Sequence, residues 1–249
     1  MKVAADGSHS LALTSAGEVV AWGTDRVGAA SVPASLQGKN VIAIAAGENY
    51  SLALTADGEI TGWGSNFYGP LDVPASLNNK RVTQIAAGAG HVVALTADGE
   101  IVTWGRDSHD LHHQVPASLN DKTVVVISAG LWHSMALTDE GKVYAWGADR
   151  LGQSTIPESV EDEIVVDIVA SDERSSVLTA EGEIISWGYN AYGQNNVPSS
   201  LDDKIAFAIS TKSYCAGHRT VVTAPGHSRH VLYAQVTDRR SSVRDDDRD

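Results

Sequence analysis

Residues 45–66 read AAGENYSLALTADGEITGWGSN. Within them Leu52 and Leu54 alternate with small residues, the period-two pattern of a strand with one face on a core. Asp57-Gly58 follows, a pair suited to the positive φ angles of a two-residue hairpin turn. EITGWG then resumes the extended pattern and ends at Trp63, a side chain large enough to fill the gap between neighbouring sheets. Upstream, VIAIAAG (residues 41–47) is an apolar run of β-branched and small residues, suited to a strand buried on both faces. Downstream, SNFYG reads as a loop, and LDVP (residues 71–74) as a short edge strand in which Pro74 need not donate to an inner ladder.

The same unit returns along the chain. Trp-Gly occurs at Trp22, Trp63, Trp104, Trp146 and Trp187, in steps of 41, 41, 42 and 41 residues. Val/Ile-Pro keeps that beat at Pro33, Pro74, Pro116, Pro157 and Pro198, and Leu-Thr at Thr14, Thr55, Thr96, Thr138 and Thr179. Four short antiparallel strands per repeat of this length predict an all-β fold, a β-propeller of four-stranded blades. One unit cannot bury its apolar face alone, and no segment sustains the 3.6-residue period of a helix. A β-solenoid is the rival, but its units are usually shorter.

The spacing divides residues 1–236 into one propeller domain. Its repeats run over about 1–40, 41–80, 81–122, 123–163 and 164–204, with a degenerate sixth at 205–236. That sixth unit begins within KIAFAISTKSYCAGHRT and loses the three markers; HVLYAQV (230–236) reads as its surviving third strand. Residues 237–249, polar and mixed in charge, read as a disordered tail. Two readings stay open: a six-bladed ring closed by the degenerate unit, and a five-bladed or open form, the open arc being completed by a partner or by self-association.

Composition excludes several classes. Of 249 residues 43% are hydrophobic and 20% charged, as in a soluble globular protein, and the formal net charge is −13. Such a surface repels phosphate backbones and anionic membranes, so neither nucleic acid nor a bilayer is an expected partner. The single cysteine, Cys215, rules out an intramolecular disulfide. No apolar h-region opens the sequence and no apolar run reaches membrane-spanning length, which leaves the compartment open.

With the strands of a unit called A to D, alternation places the A–B and C–D loops at one end of every blade. The positions that vary between repeats fall in those loops, so they converge on one face. The A–B loops carry Gly7-Ser8, Glu48-Asn49, Ala89-Gly90, Leu131-Trp132 and Asp172-Glu173. The C–D loops carry Asp25-Arg26, Asn66-Phe67-Tyr68, Asp107-Ser108-His109, Asp149-Arg150-Leu151 and Asn190-Ala191-Tyr192, with Tyr189 beside the last. Large aromatics at loop tips are the anchors expected of a protein-binding surface. The candidate contact set is Glu48, Asn49, Tyr50, Asn66, Phe67, Tyr68, Leu131, Trp132, Arg150, Tyr189 and Tyr192.

The repeat resembles that of the regulator-of-chromosome-condensation superfamily of propellers. Its 41-residue period and GQxxVPxxL ending look most like the bacterial β-lactamase inhibitor protein type II branch. The fourth unit, AGLWHSMALTDEGKVYAWGADRLGQSTIP, is the nearest match. Propellers of this superfamily generally carry seven blades, against five clear units here. In the inhibitor-like branch the resemblance implies that these two loop sets contact the partner protein. That points to Asn49, Phe67, Tyr68, Trp132 and Tyr192, flanked by Tyr50. The first, third and fifth A–B loops lack aromatics, a departure from that pattern.

The expected function is a non-catalytic, inhibitor-like or adhesion module that binds another protein and needs no cofactor. A guanine-nucleotide-exchange or chromatin-type regulator is the alternative implied by the founding family. An enzyme with polar groups gathered at the central channel is a further one. His9, His91 and His133 share one repeat phase with Tyr50 and Arg174, which suits a side chain bridging strands by hydrogen bonds better than a ligand or catalytic group. His109, His112 and His113 beside Asp110 are the weak candidates for a metal site. No phosphate loop, metalloprotease motif or nucleophile elbow is present.

Overall fold

The computed structural model describes residues 2–105 and 115–201, together with 206, 209, 221–222 and 232–233. Five three-stranded antiparallel sheets follow one another along the chain. They are β1–β3 (Lys2–Asp6, His9–Leu13, Val19–Gly23), β4–β6 (Val41–Ala46, Tyr50–Thr55, Ile60–Gly64) and β7–β9 (Val82–Ala87, His91–Thr96, Ile101–Gly105). Next come β10–β12 (Val124–Ala129, His133–Thr138, Val143–Gly147) and β13–β15 (Val165–Ser171, Arg174–Thr179, Ile184–Gly188). The short strands β16 (Val221–Val222) and β17 (Leu232–Tyr233) pair with each other. The six-residue middle strands β5, β8, β11 and β14 are buried along their whole length.

Each sheet packs on the next, and the core lies between sheets. At the second interface Leu52, Leu54 and Leu77 of one unit meet Val82, Val92, Ala94 and Trp104 of the following one. Leu11, Leu13, Leu36, Val41 and Trp63 repeat that arrangement one unit earlier. Leu95, Leu119, Val124 and Trp146 do so one unit later, and Leu137, Val160, Val165 and Trp187 one further on. The repeat Trp therefore fills the inter-sheet gap as the sequence suggests.

Among the described residues no unit carries the expected fourth strand. After the C–D loop the chain turns into a 3-10 helix at Ala34–Leu36, Ala75–Leu77, Ala117–Leu119 and Ser199–Leu201, or a short α-helix at Glu158–Glu161. Pro33 and Pro74 stand at the N-cap with φ near −70° (−70° and −69°), where the ring's fixed φ and missing N–H cost nothing. This turn drops Leu36, Leu77, Leu119 or Val160 into the inter-sheet core. Read locally, Val-Pro suits an edge strand equally well; burial of the residue three past the Pro selects the turn.

The hairpin loop holds three residues rather than two. Thr55 N–H donates to Glu59 O at 3.0 Å and Gly58 takes φ +89°, so residues 56–58 form the loop. Thr55 Oγ1 accepts from Glu59 N–H at 3.1 Å and bonds the Asp57 carboxylate, which holds that carboxyl below its ordinary pKa. Thr96 and Asp98 repeat the device, which gives the hairpin acids a structural role.

A sixth unit begins in register. Ala206 and Ile209 stand 41 residues after Val165 and Ile168 and pack on Leu178. Ala206 N–H donates to Gly182 O at 3.1 Å, as Val165 N–H does to Gly141 O at 3.0 Å. Most of the degenerate unit 205–236, and the tail 237–249, lie outside the described residues.

Candidate functional site

The A–B turns and C–D loops meet at one end of the four blades whose C–D loops are described. In these four blades the residue after Trp-Gly donates its N–H to the carbonyl of the A–B turn of its own sheet: Thr24 to Ser8 at 2.9 Å, Ser65 to Asn49 at 2.9 Å, Ala148 to Trp132 at 2.8 Å and Tyr189 to Glu173 at 2.9 Å. That close approach accounts for the glycine. Gly64 has φ +100°, and a Cβ there would lie 2.8 Å from Asn49 O.

The C–D loop of one blade is held by the Trp of the next. Trp63 Nε1 donates to Ala29 O at 2.9 Å, Trp104 to Pro70 O at 2.8 Å and Trp187 to Gln153 O at 3.1 Å, each across 34 residues. Within its own loop the leading Asx residue is a clamp. Asn66 Oδ1 accepts from Leu71 N–H and its Nδ2 donates to Asp72, both at 2.8 Å. Asp149 accepts from the N–H groups of Ser154 and Thr155. The Asn66 side chain, a candidate contact residue, is thus committed to shaping its loop.

A belt of side chains runs from blade to blade beneath these turns. His9 Nε2 meets Ser51 Oγ at 2.8 Å, His91 meets Ser134 at 3.1 Å and His133 meets Ser175 at 3.0 Å. Ser51 Oγ donates onward to Ala29 O at 2.8 Å and Ser175 Oγ to Gln153 O at 2.7 Å, so each serine accepts from an Nε2–H imidazole. Burial holds His133 neutral, with its pKa lowered to about 4. The shared slot links blades rather than strands.

Tyr50 belongs to this belt, which removes it from the contact set. Its ring is 1% exposed, and its hydroxyl donates to Gly88 O at 3.0 Å and His91 O at 2.7 Å. The reason is its neighbour: the third blade carries Val92 where the second, fourth and fifth carry Ser51, Ser134 and Ser175. A histidine would find no hydroxyl there, while the longer tyrosine reaches backbone carbonyls. Arg174 fills the fifth slot, buried, with Nη1 on Gln194 O at 2.8 Å.

The remaining candidates are accessible to different degrees. Glu48, Asn49, Asn66, Phe67, Tyr68, Arg150 and Tyr192 are exposed; Leu131, Trp132 and Tyr189 are half-buried. Phe67 stands 83% exposed with its ring 4.8 Å from Tyr68, edge to face. Tyr68 in turn lies 5.7 Å from Trp132 at an interplanar angle of 82°. Tyr68 comes from the second blade and Trp132 from the fourth. They meet above the intervening turn, Ala89-Gly90, whose N–H at Ala89 donates to Leu131 O at 3.1 Å. The absence of an aromatic in that turn is what leaves the space. Tyr189 and Tyr192 form a second edge-to-face pair at 6.0 Å.

Val27 and Leu151 also stand exposed on this face and are absent from the sequence-derived set. A signal for them exists: the residue before the loop glycine is apolar or aromatic in all four described C–D loops, Val27, Tyr68, Leu151 and Tyr192. Asp107, Ser108 and the histidines His109, His112 and His113 lie outside the described residues. Among the described residues no three His, Cys, Asp or Glu side chains are grouped to hold a metal ion. Nor is any described helix long and apolar enough to cross a membrane.

Four segments, residues 41–69, 82–110, 124–153 and 165–194, match the Regulator of chromosome condensation (RCC1) repeat. Among solved structures the chain is similar to yeast RCC1 (Prp20) bound to Kap60, with 20% identity and a TM-score of 0.69 over 89% of this chain and 67% of that one. Human WBSCR16 gives 19% identity and a TM-score of 0.73 over 91% and 72%. Prp20p from Saccharomyces cerevisiae, studied for its binding to Gsp1p and histones, gives 19% and 0.69 over 96% and 77%. No curated protein matches the chain.

Proposed function

We propose that this propeller, built of RCC1-type repeats, is a non-catalytic protein-binding module that engages its partner through the A–B/C–D face. The observation that carries the reading is the run Phe67–Tyr68–Trp132, an accessible aromatic surface assembled from two blades. Edge-to-face aromatics at the centre of a binding patch supply large contact area at low conformational-entropy cost. Val27, Leu151 and Tyr192 extend the apolar tips around it, and Glu48 adds an acidic group to the rim. The mechanism is occlusion: the aromatics enter pockets on the partner while the net negative charge steers a basic patch toward the face. Two of the structures similar in fold concern protein binding, yeast RCC1 bound to Kap60 and Prp20p with Gsp1p and histones, which supports the general role. An inhibitor of the β-lactamase inhibitor protein type II kind and an adhesion module are both versions of it.

The test is capture by immobilised protein, comparing wild type with the Phe67→Ala/Tyr68→Ala/Trp132→Ala variant. The expected result is a partner retained by the wild type and lost by the variant at equal folded concentration. Equal retention by both overturns the assignment of this face.

A further inference from the structure

The fifth blade presents an aromatic and acidic corner of the loop face, separate from the Phe67–Tyr68–Trp132 run. Tyr192, 63% exposed, and half-buried Tyr189 stand edge to face at 6.0 Å. The Tyr189 N–H donates to Glu173 O at 2.9 Å, so the A–B turn of the same sheet ends beside the pair. The Tyr189 hydroxyl is held above its ordinary pKa by burial, then by the Tyr192 hydroxyl and the Glu173 charge. Glu173 is half-buried, and among the described residues no Lys or Arg forms an ion pair with it, exposed Arg150 of the preceding C–D loop included.

Both supports of this corner are held in place. Leu131 N–H donates to Asp172 O at 2.7 Å, which ties the A–B turn to the fourth blade. In the C–D loop Asn195 N–H donates to Asn190 Oδ1 and Tyr192 N–H to Gln194 Oε1, both at 2.9 Å. Gln194 stands 41 residues after Gln153, whose carbonyl takes the Trp187 indole. Here the carbonyl is taken by buried Arg174 of the same blade, at 2.8 Å. Burial disfavours the Arg174 charge and Asp172 favours it, so that acid is engaged while Glu173 is not.

Charge is also segregated between the two ends of the blades. Lys39, Lys80 and Lys122 pair with Glu59, Glu100 and Glu140 at the hairpin end, where Lys142 bonds Glu161 O. The described A–B turns and C–D loops hold no lysine.

We propose that Tyr189, Tyr192 and Glu173 seat an arginine side chain of the partner protein, its guanidinium lying on the tyrosine rings and forking onto the Glu173 carboxylate. The inference rests on the loop face being the protein-binding face and names a group that this face reads. An aromatic face attracts a cation through its quadrupole. A carboxylate accepts two parallel N–H groups from a guanidinium. The compact, strongly hydrated ammonium of lysine offers neither the plane nor the fork.

The test titrates the full chain with a fluorescein-labelled peptide of alternating Gly and Arg, beside its Lys and citrulline counterparts. Citrulline keeps the shape of arginine and loses the charge. Affinity is expected to fall in the order Arg, Lys, citrulline. Tyr192→Ala and Glu173→Gln should each weaken the Arg peptide about 3- to 30-fold, while Tyr192→Phe, which keeps a ring face, stays within about two-fold. Glu181→Gln removes an exposed carboxylate at the hairpin end and is expected to change nothing, which controls for general attraction to an acidic surface. Unchanged urea midpoints show that the variants are folded. No binding of the Arg peptide, equal affinity for Arg and Lys, unchanged affinity in Tyr192→Ala, or equal losses in Glu181→Gln and Glu173→Gln each overturn the proposal. The titration needs no partner, so its failure leaves capture through Phe67, Tyr68 and Trp132 standing, and failure of capture leaves the titration readable.

Discussion

The Tyr50 hydroxyl lies 2.7 Å from the carbonyl oxygen of His91, and it takes over a link that elsewhere is made by a histidine and a serine. Tyr50→Phe removes the hydroxyl from Gly88 O and from His91 O, which keeps the Gly88 N–H at 2.9 Å, and is expected to cost about 1–3 kcal/mol, read from the urea midpoint. Tyr50→His alone puts an imidazole opposite Val92, and Val92→Ser alone buries a hydroxyl beside a phenol. The double variant rebuilds the pair seen at His9 and Ser51, so it is expected to exceed the stability of Tyr50→His. If it does not, pairing is not what sets the identity of this slot.

The neutral histidine makes stability depend on pH. The folded pKa of His133 is about 4, below its ordinary 6.5, because burial penalises the imidazolium. As pH falls the unfolded chain takes up its proton first, so the contribution is complete above about 6.5 and has gone by about 4. Its size is on the order of 3 kcal/mol. His9, shifted the same way by burial, adds to the slope. Urea midpoints measured across this window should rise with pH, and His133→Gln should flatten part of that rise. An unchanged slope in the variant would show that the ring does not titrate as described.

The inter-blade tryptophans act through an indole N–H as well as through area. Trp104→Phe keeps much of the apolar contact but strands the Pro70 carbonyl, for an expected loss of about 1–3 kcal/mol. Trp104→Ala adds a cavity and is expected to lose about 3–5 kcal/mol. No loss in Trp104→Phe would mean that the hydrogen bond contributes nothing beyond packing.

Gly130 shows why the A–B turn begins with glycine. A Cβ there would lie 2.3 Å from His133 Cε1, so Gly130→Ala must displace the ring from Ser175. Overpacking of this kind costs about 1–3 kcal/mol. The companion Gly130→Ala/His133→Ala variant removes the ring clash but keeps a 2.9 Å approach of the new Cβ to Asp172 O, so it should lose less than the sum of the two single variants, measured by the same unfolding curves.

The aromatic tips should be separable from folding. Phe67→Ala changes a side chain that is 83% exposed, and its effect on the urea midpoint is expected to stay within about 0.5 kcal/mol. A large loss would place Phe67 in the fold rather than on the binding face.

Period, strand pairs and the turn glycines were legible in the sequence because they answer to local rules. Alternation at Leu52 and Leu54, positive φ at Gly58 and the recurrence of Trp-Gly each need only a neighbour or two along the chain. The convergence of the A–B and C–D loops on one face followed from strand alternation alone, and the backbone hydrogen bonds between them bear it out. The site was less legible residue by residue. Asn66 looked like a free loop position, yet its amide closes its own loop, and Val27 and Leu151 went unchosen beside the larger aromatics.

Only the tertiary structure decided what depends on partners about 40 residues away. The Pro-Ala-Ser-Leu segment is a helical turn because the core between two sheets takes the leucine. Tyr50 is buried because the next blade offers Val92 in place of a serine. Tyr68 and Trp132 touch because Ala89 and Gly90 leave room between blades that are not sequence neighbours. A repeat writes each blade's own strands into local pattern, while the fit between blades is a property of two surfaces and is fixed only when they meet.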